Sequence, residues 1–227
     1  MFIKILKIII SNRFIATKLI TICLISHNFL YRLISVLAIK LNYGIHPKHR
    51  IIKYKEWFFN KVLENEVVLD IGCNTGSLVN LISDKAKFVY GIDVNSEYIK
   101  QAKKQITQMN TKFFHADATS FDYSNCDPID VILLSNVLEH IEDRANFLEK
   151  ILKQVKWRTS PKILIRVPMI DRDWLVIYKK ELNIDHRLDR THYTEYSFSS
   201  FKNEMDKVNL KILYYKIQWG EIYALCK

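Results

Sequence analysis

The stretch VVLDIGCNTGSL, residues 67–78, constrains the fold more than any other part of the chain. An apolar run closes on an acid, a glycine follows, and a second glycine opens a segment with helical spacing. Of the 227 residues only five are glycine, and two of these, Gly72 and Gly76, fall within these twelve positions. The turn is therefore chosen for backbone geometry, because glycine reaches conformations that cost other residues energy. A strand, a tight turn and a helix in this order belong to a sheet whose ligands collect at the carboxyl ends of the strands.

The rest of the chain repeats the unit. Short β-rich runs occur at Val67–Ile71, Phe88–Ile92, Lys112–His115, Asp130–Ser135 and Lys162–Val167. Between them, Ser77–Lys85, Ser96–Met109 and Arg144–Trp157 place apolar residues at helical spacing. The alternation predicts an α/β fold, a doubly wound and mostly parallel sheet with helices on both faces. The terminal KILYYKIQWGEIYALCK reads as two strands joined at Gly220. Three successive runs end on acids: Asp70, Asp93 and Asp117. One such acid is an ordinary turn former; three, with a glycine turn after the first, point to a bound ligand. Asp93 stands where an acid accepts hydrogen bonds from ribose hydroxyls. A dinucleotide is disfavoured, since the G-x-G-x-x-G spacing meets Gly72, Asn74 and Ser77.

As a set, these motifs resemble the class I S-adenosylmethionine-dependent methyltransferases over roughly residues 48–227. VLDIGCNTGSL is similar to their first motif, GIDVN to the second, HADAT to the third and IDVILLSNVLEHI to the fourth-strand motif. The resemblance implies a seven-stranded sheet and S-adenosylmethionine as cofactor. It implies that Asp70, Gly72, Asn74 and Gly76 hold the amino-acid end, Asp93 with Val94 the ribose, Asp117 with Ala118 the adenine, and that Ser135 lines the pocket. Asn74 departs from the usual glycine, but asparagine tolerates a left-handed backbone best among the other residues. HPKHRI, RVPMIDRDW, LDRTHYTEY and WGEIYA are similar to a bacterial subgroup linked to surface-polysaccharide or glycolipid pathways.

The long connection Met169–Tyr196 is expected to lie over the methyl-transfer site. His192 is the first candidate for the proton acceptor, followed by His140 and Asp173. Arg172, Trp174, Arg187 and Tyr193 are candidate acceptor-binding residues, as is Glu221, because the Gly220 turn is expected on the active-site face. No metal site is expected: Glu139 and His140 are two adjacent ligands without a visible third.

Charge is segregated. Residues 1–61 carry eleven Lys or Arg against one acid, and the remainder balances to zero. Six of the eleven accompany the apolar segment 1–45, expected as a helical appendage to a methyltransferase domain at 46–227, and the other five follow it directly at 48–61. Lys4, Lys7, Ser11 and Lys18 recur on one helical face. An in-plane helix on an anionic membrane surface, packing on protein, and a membrane span all remain open, although the uncharged run Leu19–Tyr31 is short of the roughly 20 residues a span needs. Four scattered cysteines, with no metal spacing, suit a reducing compartment. The expected location is cytoplasmic, peripheral on the inner face of the cell membrane. The reading is an O-methyltransferase acting on a glycan or lipid-linked sugar. A quinone or lipid small-molecule methyltransferase and a non-catalytic cofactor-binding scaffold are the alternatives. Nucleic acid is disfavoured as partner because most of the excess charge sits in the apolar segment. Oligomeric state is left open.

Overall fold

The computed structural model describes residues 11–227, so Lys4 and Lys7 of the basic stripe lie outside the described residues. In chain order, helices α1 (Arg13–Leu41), α2 (Lys48–Ile52) and α3 (Tyr54–Lys61) come first. They are followed by β1 (Val67–Ile71), α4 (Ser77–Ser83), β2 (Phe88–Asp93), α5 (Ser96–Gln105) and β3 (Thr111–His115). Next come β4 (Val131–Ser135), α6 (Arg144–Gln154), β5 (Ile163–Pro168) and α7 (Trp174–Glu181). The last elements are α8 (Phe198–Lys207), β6 (Ile212–Gln218) and β7 (Glu221–Cys226). Among the described residues two compact units result: 11–53 with Asp173–Arg187, and Tyr54–Arg172 with Leu188–Lys227.

The larger unit is a seven-stranded sheet in the order β3-β2-β1-β4-β5-β7-β6. Strands β1 to β5 pair in parallel, whereas β7 is antiparallel to both β5 and β6. The predicted α/β sheet is therefore present. All five residues of β1 are buried, because the strand is central and covered on both faces. Side chains alternate across the sheet. Val67, Leu69 and Ile71 join one core cluster with Phe147 and Leu148 of α6 and Phe201 of α8. Val68 joins the other, with Trp57 and Phe58 of α3, Val79 and Ile82 of α4, and Ile99 of α5.

Several helix bounds differ from the expected ones. The helix after β2 stops at Gln105 instead of Met109, because Ile106 turns extended (φ −108°, ψ 111°) and buries its side chain. The helix before β5 stops at Gln154, where Val155 turns extended. The connection Met169–Tyr196 is not a continuous loop: Asp173 caps α7 by accepting from the Leu175 amide at 2.9 Å.

In the helical unit, α1 runs 29 residues, roughly 43 Å at 1.5 Å per residue. By length and composition it is long and apolar enough to cross a membrane. Three of its polar residues, His27, Asn28 and Arg32, engage the rest of its own unit. Lys179, buried on α7, donates to Asn28 Oδ1 at 2.7 Å and lies 3.1 Å from His27 Nδ1. Asn28 also donates to the Asp185 carbonyl, and Arg32 pairs with the Asp185 carboxylate at 3.1 Å. Phe14, Ile22, Ile25, Phe29, Ile34 and Val36 remain exposed.

The sheet core sets stability. Leu133 in β4 is completely buried between β1 and β5. Leu133→Ala should lower unfolding free energy by about 2–5 kcal/mol, read from urea denaturation.

Candidate active site

The first turn is built from three left-handed residues. Gly72, Asn74 and Gly76 have φ of 73°, 51° and 78°. Asn74 thus takes the conformation its residue type tolerates. A Cβ on Gly72 would lie 2.7 Å from Val137 Cγ2, and one on Gly76 would lie 2.4 Å from Ile106 Cδ1. The first contact brings the segment after β4 against the β1 turn. The amides of Gly72 and Cys73 donate to the Ile92 carbonyl at 2.8 and 3.0 Å, pinning the turn to the end of β2. Cys73 is buried, and desolvation raises its thiol far from the reactive range, so it fills space beside Gly91.

Asp93 knits the two turns together. One carboxylate oxygen accepts from the Asn74 amide and the other from the Asn95 amide, both at 2.8 Å. Val94 beside it is exposed. Asp70 is buried, and its Oδ2 has no hydrogen-bond partner within the protein. Burial first, and the Asp93 carboxylate second, hold its pKa well above the ordinary carboxylate range. A cationic ligand group is the natural complement to such an oxygen. At the end of β3, Asp117 accepts from the amide and hydroxyl of Thr119, and the Ala118 carbonyl accepts from Tyr123.

Residues 43–215 match the family profile described as "Methyltransferase domain". The chain belongs to the methyltransferase-domain family. A curated relative, the ubiquinone biosynthesis O-methyltransferase of Aliivibrio fischeri, is 28% identical over 118 residues, 48% of this chain and 49% of the relative. The (S)-tetrahydroprotoberberine N-methyltransferase of Eschscholzia californica is 30% identical over 109 residues, 46% of this chain and 30% of the relative. The aligned part spans about half the length of the first of these curated relatives. The solved magnesium protoporphyrin IX methyltransferase of Synechocystis, with bound S-adenosylhomocysteine, shares the fold. Its TM-score is 0.57 at 14% identity, covering 79% of this chain and 81% of that one. S-adenosylmethionine is the cofactor of this methyltransferase, and the residues present fit it: the unpartnered Asp70 oxygen suits an ammonium group, and the glycine turn leaves no side chain in the way.

The end of β4 holds groups of a different kind. Ser135 Oγ accepts from Arg166 Nη1 at 3.3 Å. Arg166 in turn grips Glu221 through two 2.6 Å hydrogen bonds, stacks on the Tyr54 ring at 4.0 Å, and is buried with its partner. Glu221 also accepts from the Tyr223 hydroxyl at 3.1 Å. Glu139 is completely buried, with neither carboxylate oxygen hydrogen-bonded, and burial pushes its pKa up to about 8. His140 and His192 stack edge-to-face with ring centroids 4.7 Å apart. His140 reaches the surface, yet partial desolvation of its ring, then His192, lowers its pKa. His192 is buried, its Nδ1 3.1 Å from Glu195 Oε1. Glu195 also pairs with Arg172. Tyr193 donates its amide to the Glu139 carbonyl at 2.8 Å and exposes its ring.

Asp173, Trp174 and Arg187 belong to the helical unit. There Asp173 caps α7, Trp174 is exposed, and Arg187 pairs with Asp185 at 3.3 Å. Sequence reasoning passed over Arg166 and Glu195. The signal for Arg166 was a charge inside ILIRVP, an otherwise apolar strand; for Glu195 there was none, because its partners His192, Leu188 and Arg172 are spread through a connection without periodic patterning.

Two measurements test this geometry. Asp93→Ala should weaken S-adenosylmethionine binding roughly 10- to 100-fold in calorimetry, the scale of a lost charge-assisted hydrogen-bond pair. Glu221→Leu should cost about 3–5 kcal/mol by stranding a buried guanidinium, while adding Arg166→Met should restore most of it in the same denaturation assay.

Proposed function

We propose that the protein is an S-adenosylmethionine-dependent O-methyltransferase acting on a glycan or lipid-linked sugar intermediate at a membrane surface. The observation that carries the membrane part is the exposed apolar flank of α1, on a helix whose His27, Asn28 and Arg32 are engaged within their own unit. A helix with that division lies in the interface with its apolar flank in the lipid. Trp174, exposed on α7, is of the type enriched at such interfaces. The sugar part rests on the sequence subgroup, and on a loop after β5 that carries an exposed Tyr193 ring. A quinone head group is the second reading, favoured by the match to a ubiquinone O-methyltransferase.

S-adenosylmethionine supplies an activated methyl group. The protein's own part is positioning and proton handling. Asp93 and the glycine turn orient the donor, and the Glu139, His140 and His192 cluster meets the acceptor hydroxyl beyond β4. The location that follows is the cytoplasmic face of a membrane.

The test is transfer of a radiolabelled methyl group by the full chain to two acceptor pools, extracted lipid-linked sugars and a demethylated quinone. Label in the sugar fraction supports the first reading; label only in the quinone replaces it with the second. In flotation with phosphatidylglycerol vesicles, Ile22→Glu with Phe29→Glu should abolish co-flotation and leave cofactor binding within twofold.

A further inference from the structure

We propose that Glu139, His140 and His192 form a binding site for one divalent transition-metal ion, between manganese and zinc in the first row. Glu139 and His140 follow β4, and His192, the third ligand that the sequence did not show, enters from a distant loop. One ligand atom from each residue nevertheless lies within 4.8 Å of the others. Ligands about 2.1 Å from one ion stand at most roughly 4.2 Å apart, so side-chain movements of under about 1 Å close the set.

The strongest observation is the state of Glu139. Its carboxylate is wholly buried, and both oxygens are without a hydrogen-bond partner. A group of that kind is expensive to bury unless a cation completes it. Arg166 does not do so at hydrogen-bonding range: its guanidinium is committed to both oxygens of Glu221 and to Ser135.

The histidines have the outer support that metal-bound imidazoles carry. Nδ1 of His192 sits 3.1 Å from the Glu195 carboxylate, which Arg172 and the Leu188 amide (2.6 Å) hold in place. Nδ1 of His140 sits 2.9 Å from the Thr191 hydroxyl, which donates to Asp189 at 2.9 Å. Each ring is therefore oriented by a fixed partner on one nitrogen. The Tyr193 amide bonded to the Glu139 carbonyl fastens the His192 loop to the residue it would share the ion with. Two imidazoles and one carboxylate favour Mn²⁺ to Zn²⁺ over the all-oxygen preference of Mg²⁺ or Ca²⁺. Exposed His140 leaves one side of the site open, so coordination positions remain for an oxygen ligand from outside.

Those positions suit the acceptor hydroxyl, a role that rests on the methyltransferase reading above. Bound to the ion, the hydroxyl is more acidic and loses its proton to water. Its oxygen then forms the new C–O bond as the C–S bond breaks, and the bonding pair leaves with sulfur as S-adenosylhomocysteine.

The test uses untagged full-length protein, stripped with a chelator and titrated with Mn²⁺ by electron paramagnetic resonance and with Zn²⁺ by calorimetry. S-adenosylmethionine binding is measured on the same samples. One ion per chain is expected, with at least tenfold weaker binding in Glu139→Gln and in His140→Ala and cofactor affinity within twofold in both. His140→Ala guards against a folding defect at the buried glutamate, because His140 is exposed. Absence of stoichiometric ion binding by protein that binds cofactor overturns the site, as does equal ion binding by both variants. Ion binding by protein that does not take the cofactor upholds the site and removes the methyl-transfer role alone.

Discussion

The Arg166–Glu221 pair is the interaction on which the arrangement beyond the sheet depends. It joins β5 to β7 where the antiparallel strand returns, and the guanidinium also reaches Ser135 at the end of β4 and stacks on Tyr54 at the start of α3. Three strands and a helix meet on one charged group. Burying such a pair is costly, and its return is geometric: two parallel hydrogen bonds fix the register of the strand ends that carry the site. The commitment of Arg166 to Glu221 has a second effect, for it leaves both carboxyl oxygens of nearby Glu139 without a hydrogen bond among the described residues.

Buried carboxylates thus occur at two places and differ in what surrounds them. Asp70 stands behind the glycine turn, beside Asp93, with one oxygen unpartnered. Glu139 stands close to two histidines with both oxygens unpartnered. Each marks a place where the protein alone does not balance its own electrostatics, and each lies at or after the end of a strand of the parallel sheet, β1 or β4. The parallel topology explains this, since every such strand delivers its following loop to the same edge.

Much of this was legible in the residues, and the reason is local. β1 has the bounds its run suggested, because a central strand covered on both faces reads as a near-continuous apolar run, broken here only by Asp70. The positive φ of Asn74 follows from its residue type and its place between two glycines. What was hidden depends on distance along the chain. His192 meets His140 across 52 residues, and Arg166 meets Glu221 across 55, so no window of sequence contains either pair. α7 was hidden for a different reason: its charged WLVIYKKE face reads as loop until α1 supplies partners for it.

The composition of the helical unit has a consequence for how the chain can be taken apart. Its two segments are separated by more than a hundred residues, with five strands of the sheet encoded between them. Cutting the chain after Lys53 would not cleanly divide one folded body from another. It would remove His27 and Asn28 from beside buried Lys179, and Asn28 and Arg32 from Asp185, leaving a lysine-bearing helix in the middle of the remaining polypeptide with its packing surface bare. The amino-terminal helix is thus half of an inseparable joint, and a shortened chain inherits a defect more than a hundred residues from the cut.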